Sequence, residues 1–168
     1  VDRVRTLNGS GDDLNRPEYG RLKEQLSVFR KAREKCRFFY IIGRRPDGTV
    51  FFHVDSEPPS SKDYSPPGQN YEEAPQGSRQ VFDTRRAAVV GPFSDRWGTW
   101  VSAFVPLTDP KHAHAGPGTG NATRTAARPG SSVAAVLGMD VDAREWNRNL
   151  ALAAFPPLLF TLAVATIL

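Results

Sequence analysis

Polar and apolar positions change rhythm along the chain, and each rhythm predicts an element. Between Thr99 and Leu107 the period is two. Val101, Ala103, Val105 and Leu107 share one face; Trp100, Ser102, Phe104 and Pro106 share the other. Alternating β-branched and aromatic residues predict a strand, and apolar groups on both faces put it inside a sheet. The stretch before it, from Gly91 to Gly98, carries Pro92, Asp95 and Trp97 and reads as a turn-rich lead. Upstream the period lengthens. Tyr19, Leu22, Leu26, Phe29 and Arg33 recur every three or four residues, with Arg21, Lys23, Glu24, Arg30, Lys31 and Glu34 opposite. That spacing predicts an amphipathic helix of about five turns. Asn15 with Glu18 three residues on fits a capping box, and Pro17 suits a first turn. Val1, Val4 and Leu7 also have helical spacing, until Gly9, Ser10 and Gly11 interrupt it.

Residues 38–43 and 50–55 predict a hairpin, with Asp47-Gly48 as the tight-turn signal between them. Phe38, Tyr40 and Ile42 alternate with Phe39 and Ile41; Phe51, His53 and Asp55 alternate with Val50, Phe52 and Val54. Both strands are apolar on both faces, as expected of a central pair. Residues 57–79 are polar and rich in Pro, Ser, Gly and Tyr. So long a loop in a compact domain is functional or disordered, and its tyrosines argue that it packs against something. Val81 and Phe82 form a short apolar piece, and 87–90 predicts an edge strand leading to Gly91.

The continuous apolar run 133–141 predicts a buried strand. It would pair antiparallel with 99–107 across a Gly-, Thr-, Ala- and Pro-rich insertion, 109–132. Asp142, with Glu145 three on, starts a helix. Residues 150–168 hold no charge and approach the length that spans a bilayer, with Pro156-Pro157 as a kink and Trp146 and Arg148 as interfacial anchors. The competing reading of that run is a buried core helix.

A length of 168 residues fits one compact domain. Residues 1–13 form a membrane-proximal segment, 14–149 the domain and 150–168 a transmembrane helix. A chain that starts at Val1 and stops within an apolar run reads as a piece of a longer protein. The net charge of +4 is spread among acids, as in Arg33-Glu34-Lys35 and Asp83-Thr84-Arg85-Arg86, which argues against a nucleic-acid face. The single Cys36 excludes an internal disulfide and a Cys-based zinc site.

Several short motifs follow this order: Arg37-Phe38-Phe39-Tyr40, Pro46-Asp47-Gly48, Phe51-Phe52, residues 54–58, 63–69, 91–103 and 135–143. Together, over residues 14 to 150, they resemble the Cache-type, PAS-like extracytoplasmic sensor domains of bacterial membrane-bound histidine kinases and diguanylate cyclases. In that family a short Asp-Pro turn joins the last two strands. Here Asp109-Pro110 is present, but the insertion after it is much longer.

The resemblance implies an α+β fold. Its centre is an antiparallel five-stranded sheet, with a long N-terminal helix on one side, the 57–79 loop covering the other and a transmembrane helix at the exit. It also implies ligand sensing on the periplasmic side of a bacterial cell membrane, as input to a histidine kinase phosphorelay. A diguanylate cyclase is the alternative output, and a membrane-anchored interaction domain without a small ligand is a further one. The implied partners are an unknown small-molecule ligand, the membrane and a second copy joined through N-terminal and transmembrane helices. No nucleic acid and no cofactor are expected, and catalysis would lie outside this chain.

The candidate ligand-binding residues are Tyr40, His53, Asp55, Tyr64, Tyr71, Trp100, Ser102 and Asp140. Asp55 can meet an amine or cation, or simply cap the loop amides at its strand end. Tyr64 and Tyr71 can wall a pocket, or fasten the loop to the sheet. Trp100 and Ser102 face either a pocket or the core. Asp95 reads as a structural turn residue, with Trp97 and Trp100 packing. Asp140, in a buried strand, needs a partner: Arg37, His53 or a ligand. His53 is a core histidine, or a haem ligand if the chain is instead a cytoplasmic PAS-type cofactor domain. His112 and His114 have metal-compatible spacing but sit in the Gly-rich insertion. A third class, an enzyme, would need a convergent acid, base or metal, and no phosphate loop, Gly-x-Ser-x-Gly or His-Glu-x-x-His is present.

Overall fold

The computed structural model describes residues 1–108 and 133–144 together with Trp146. The chain runs through α1 (Asp2–Arg5), a 3-10 helix (Gly11–Asn15), α2 (Pro17–Lys31), β1 (Cys36–Arg44) and β2 (Val50–Asp55). It continues through α3 (Gln76–Thr84), β3 (Ala88–Asp95), β4 (Gly98–Leu107) and β5 (Ala135–Asp142). The strands form one five-stranded sheet in the order β2-β1-β5-β4-β3, antiparallel throughout. The last strand is thus the middle one. β5 joins the N-terminal hairpin to the β3–β4 hairpin, and β4 lies inside the sheet as its pattern predicts.

Each face of the sheet carries a core. On one side α1 and α2 bring Val4, Leu7, Tyr19 and Leu26 against Ile41, Val54 and Ala135. On the other, the covering segment and α3 bring Tyr71, Ala74, Val81 and Phe82 against Phe38, Tyr40, Ile42, Phe52, Trp100, Phe104 and Val136. Burying each large side chain contributes about 1.5–3 kcal/mol relative to leaving it in water.

Several local expectations need correction. The capping box closes one element early: Ser10 and Asp13 form it at the start of the 3-10 helix. α2 begins at Pro17 with no side-chain cap, and proline has no N–H of its own to satisfy. The helix holds 15 residues, or about four turns, and ends before Arg33. Phe29 is 59% exposed, its ring tilted against Phe39 at 6.2 Å.

β2 is an edge strand, not a central one. All six of its residues are nonetheless buried, because the covering segment pairs with its free edge. Gly68 and Tyr71 donate backbone N–H groups to the carbonyls of Phe52 and Val50, and Phe52 donates to Gln69. This pairing satisfies backbone groups that an open edge would leave to water or to another chain.

The stretch containing Val81 and Phe82 is helical. α3 places both on its buried face and ends at Arg85 in a left-handed conformation, φ 59°. Finally, most of the lead before β4 is itself strand. β3 runs to Asp95, with a register shift between Val90 and Phe93, and the turn to β4 is confined to Arg96 and Trp97.

At the exit of β5, Asp142 accepts the Arg144 N–H at 2.8 Å. The insertion 109–132 with His112 and His114, Glu145, and the apolar run 150–168 lie outside the described residues. Among the described residues no helix is long and apolar enough to cross a membrane.

Candidate functional site

Three neighbouring strands build the floor of the site. Asp140 on β5 stands in register with Phe38 on β1 and with Ser102 on β4, and Tyr40 stands in register with Gly138. The Tyr40 ring lies over Gly138 so closely that a Cβ there would sit 2.3 Å from it. From that position the phenol donates to Asp140 Oδ1 at 3.0 Å. The Ser102 hydroxyl donates to the same oxygen. Asp140 is 3% exposed. Burial pushes its carboxyl up to about 7, against the downward pull of these two hydroxyls.

Asp140 therefore has neutral partners. Arg37 is engaged elsewhere, with Glu57 at 2.8 Å and Asp63 at 2.6 Å. His53 packs edge-on against Phe51 at 4.7 Å, its Nδ1 buried without a hydrogen-bond partner. Burial pulls that imidazole down to about 4. A neutral ring at physiological pH follows.

A second carboxylate, Asp95, closes the turn between β3 and β4. Its Oδ1 accepts the N–H groups of Trp97 at 2.9 Å and Gly98 at 3.2 Å, and the Trp100 indole N–H at 2.8 Å. Its Oδ2 accepts the Tyr71 hydroxyl at 2.9 Å. The turn role is as the sequence suggests. The link from that turn to the covering segment has no sequence signal, because Tyr71 and Asp95 are far apart in the chain.

Between these two acids lies a cavity of about 20 Å³, lined by Phe38, Tyr40, Phe52, Asp63, Ser65, Tyr71, Asp95, Trp97 and Asp140. That is room for about one water molecule. The rings account for the tight fit. Phe52 stacks on Tyr71 at 5.1 Å, Trp97 stands edge-on to both at 5.8 Å, and Tyr40 stands edge-on to Phe52 at 5.5 Å. Burial raises the Tyr40 and Tyr71 phenols well above the usual range, so both act as neutral donors. At the rim, Arg96 clamps Glu73 of the covering segment through two bonds, at 2.8 and 2.6 Å.

Of the eight candidates, Tyr40, Tyr71 and Asp140 line this cavity. Ser102 and Trp100 stand behind it, bonded to Asp140 and Asp95. Asp55 anchors the start of the covering segment instead, accepting the N–H groups of Glu57 at 3.0 Å and Ser65 at 2.8 Å. Burial raises its carboxyl despite those bonds. Tyr64 turns toward α2, its hydroxyl 2.9 Å from that of Tyr19 and its ring under the Lys23 ammonium at 4.2 Å. His53 lies apart from the cavity lining. Four lining residues that the sequence offered only as packing, turn or loop (Phe38, Phe52, Asp95 and Trp97) join the site. Asp63 and Ser65 carried no periodic signal at all.

Among the described residues no group of three or more His, Cys, Asp or Glu side chains could hold a metal ion. Comparisons of the chain with protein-family models, curated proteins and solved structures returned no match. The architecture, a five-stranded antiparallel sheet with short helices, is compatible with a PAS-like fold.

Proposed function

We propose that residues 14–149 are the extracytoplasmic, Cache-type ligand-sensing input domain of a bacterial transmembrane receptor, with 150–168 as its membrane helix. A histidine kinase is the output we assign beyond it, and catalysis resides there. One observation carries the reading. A buried carboxylate, Asp140, sits in a small aromatic cavity under a covering segment, and it belongs to the strand that leads toward the apolar run 150–168. A ligand entering this cavity must part the rings and shift the covering segment. Its hold on the shifted form, relative to the closed one, is the free energy available for signalling. A displaced Asp140 moves β5, and β5 is the strand bonded to both halves of the sheet.

The test is a thermal-shift screen of the 168-residue chain against small acids, amines and sugars. A sensing domain gives a saturable rise in Tm with at least one compound, since ligand held only by the folded state must stabilise it. A flat response across all three classes would overturn the reading.

A further inference from the structure

We propose that a second copy of this chain docks face to face on the half of the sheet that α1 and α2 leave uncovered. The proposal rests on the sensing reading only for the membrane anchor that brings two copies together; the surface itself is read from the sheet.

The helices cover their side of the sheet unevenly. Their core takes in Ile41 of β1, Val54 of β2 and Ala135 at the start of β5. Among the described residues none from β3 joins it, and β4 adds only its last, Leu107. One continuous row stays open. Phe39 on β1 stands in register with Met139 on β5, Met139 with Ala103 on β4, and Ala103 with Val89 on β3. Val89 is 70% exposed, and Val105, two residues beyond Ala103 on the same face, is 43% exposed. Ala103 and Met139 are half-buried. Phe29 of α2 borders the row, leaning on Phe39. A sheet face built for water carries polar side chains. None of these residues is polar, and a contiguous exposed apolar patch marks an interaction surface.

Three observations select a second copy as the occupant. A twofold interface needs one self-complementary patch. This patch holds no charge, so two copies of a chain with net charge +4 meet there without like charges in contact. Next, the free edge of the sheet is β3, and that edge is blunted. Pro92 has no N–H to offer, and the register shift between Val90 and Phe93 breaks the run. Copies therefore meet by face and not by pairing edges. Finally, β5 carries Met139 and ends at Asp142, a short link before the uncharged run 150–168. With that run in the bilayer, as proposed above, each copy presents this face at one height, and confinement raises the effective concentration of its partner. The contact centres on β3, β4 and β5, apart from the N-terminal and transmembrane helices through which the resemblance joins two copies.

Sedimentation of the 168-residue chain in density-matched detergent micelles tests this. A concentration-dependent dimer is expected. Val89→Lys and Val105→Lys, both at exposed positions, are each expected to weaken it at least tenfold with Tm unchanged. Leu14→Lys, also exposed but on the 3-10 helix, is expected to leave it intact. Met139 is the only methionine in these 168 residues and gives an independent reading. Peroxide is expected to oxidise it several-fold faster in Val89→Lys and Val105→Lys than in wild type. A dimer that neither of these lysines weakens would place association on another surface and overturn the proposal. A monomer at every concentration would also overturn it; slow Met139 oxidation in that monomer would assign the face to the run 150–168 of the same chain. Either result leaves the sensing reading standing, because the thermal-shift screen reads ligand binding in monomer and dimer alike. A flat screen with the dimer intact would remove the sensing reading and keep the interface.

Discussion

The Tyr40 hydroxyl reaches Asp140 Oδ1 at 3.0 Å by crossing from β1 to β5 over the bare backbone of Gly138. Three residues on two strands are therefore one structural unit. Tyr40→Phe removes the donor and keeps the ring, so unfolding in urea is expected to show a loss of about 1 kcal/mol. Gly138→Ala forces the ring off its seat and is expected to cost more, about 1–3 kcal/mol, as overpacked core sites do. Equal stability of Gly138→Ala and wild type would mean that the ring does not lie where it is described.

Asp140 and His53 pull the pH dependence of stability in opposite directions. Asp140 titrates near 7 in the fold against an ordinary 3.8. The folded chain holds an extra proton in that window, so this contribution is complete below 3.8 and lost as pH rises through about 7. His53 titrates near 4 against an ordinary 6.5, so its contribution is complete above 6.5 and lost as pH falls through about 4. The two offset each other over much of the acidic range, with Asp55 adding to the Asp140 side. Relative to wild type, Asp140→Asn is expected to gain stability as pH rises from 4 to 7, by about 1 kcal/mol per pH unit. His53→Gln is expected to lose stability over the lower part of that range. Denaturation curves at a series of pH values read both slopes, and parallel profiles for all three proteins would contradict the assignment.

Asp95 and Glu73 both tie the covering segment to the β3–β4 turn, but with unequal weight. Asp95 holds four donors. Asp95→Ala leaves an indole and a phenol without an acceptor and is expected to cost about 2–3 kcal/mol. The Glu73–Arg96 pair is largely exposed to solvent, and Glu73→Ala is expected to change stability by less than about 1 kcal/mol. The contrast is measured by thermal or urea unfolding of the two variants side by side.

The proposed extracytoplasmic placement is open to a labelling experiment. Cys36 is the only cysteine in these 168 residues and is buried, so it adds little background, and any cysteine elsewhere in the reading frame is first replaced by Ser. Gly20 lies on the exposed side of α2, where an added Cβ meets nothing within 4 Å. Gly20→Cys in the complete reading frame is expected to react with a membrane-impermeant thiol reagent in intact bacteria. Reaction only after lysis would place the domain in the cytoplasm and contradict the proposed topology.

Much of the sheet was legible because its periodicity is strong. The strands at 38–43, 50–55, 99–107 and 133–141, and the pairing of the last two, all follow from alternation or from a continuous apolar run. The edge position of β2 was not legible. Phe51, Phe52 and Val54 look the same whether a strand or a loop covers them, and here Gly68 and Tyr71 do the covering through backbone bonds. α3 escaped because Gln76, Gly77, Ser78 and Arg79 give it a polar start with no helix signal before Val81 and Phe82. In the site, Asp140 announced itself as a carboxylate in an apolar strand, but neither protein partner offered for it is the one it has. Charge logic offered Arg37, His53 or a ligand, whereas strand register delivered Ser102 and the space over Gly138 delivered Tyr40. Asp63 and Ser65 reach the cavity from an irregular segment, where spacing says nothing about direction.

The central claim is that small molecules enter between the sheet and its covering segment. Amide hydrogen exchange in the presence of each acid, amine and sugar of the panel tests it most directly. The amides to follow are Phe52, Gly68 and Tyr71, which fasten that segment to β2. At least one compound is expected to slow their exchange several-fold while leaving Arg85, at the far end of α3, unchanged. A stabilising compound that alters exchange elsewhere but not at these amides, or a panel in which no compound alters them, would contradict the account.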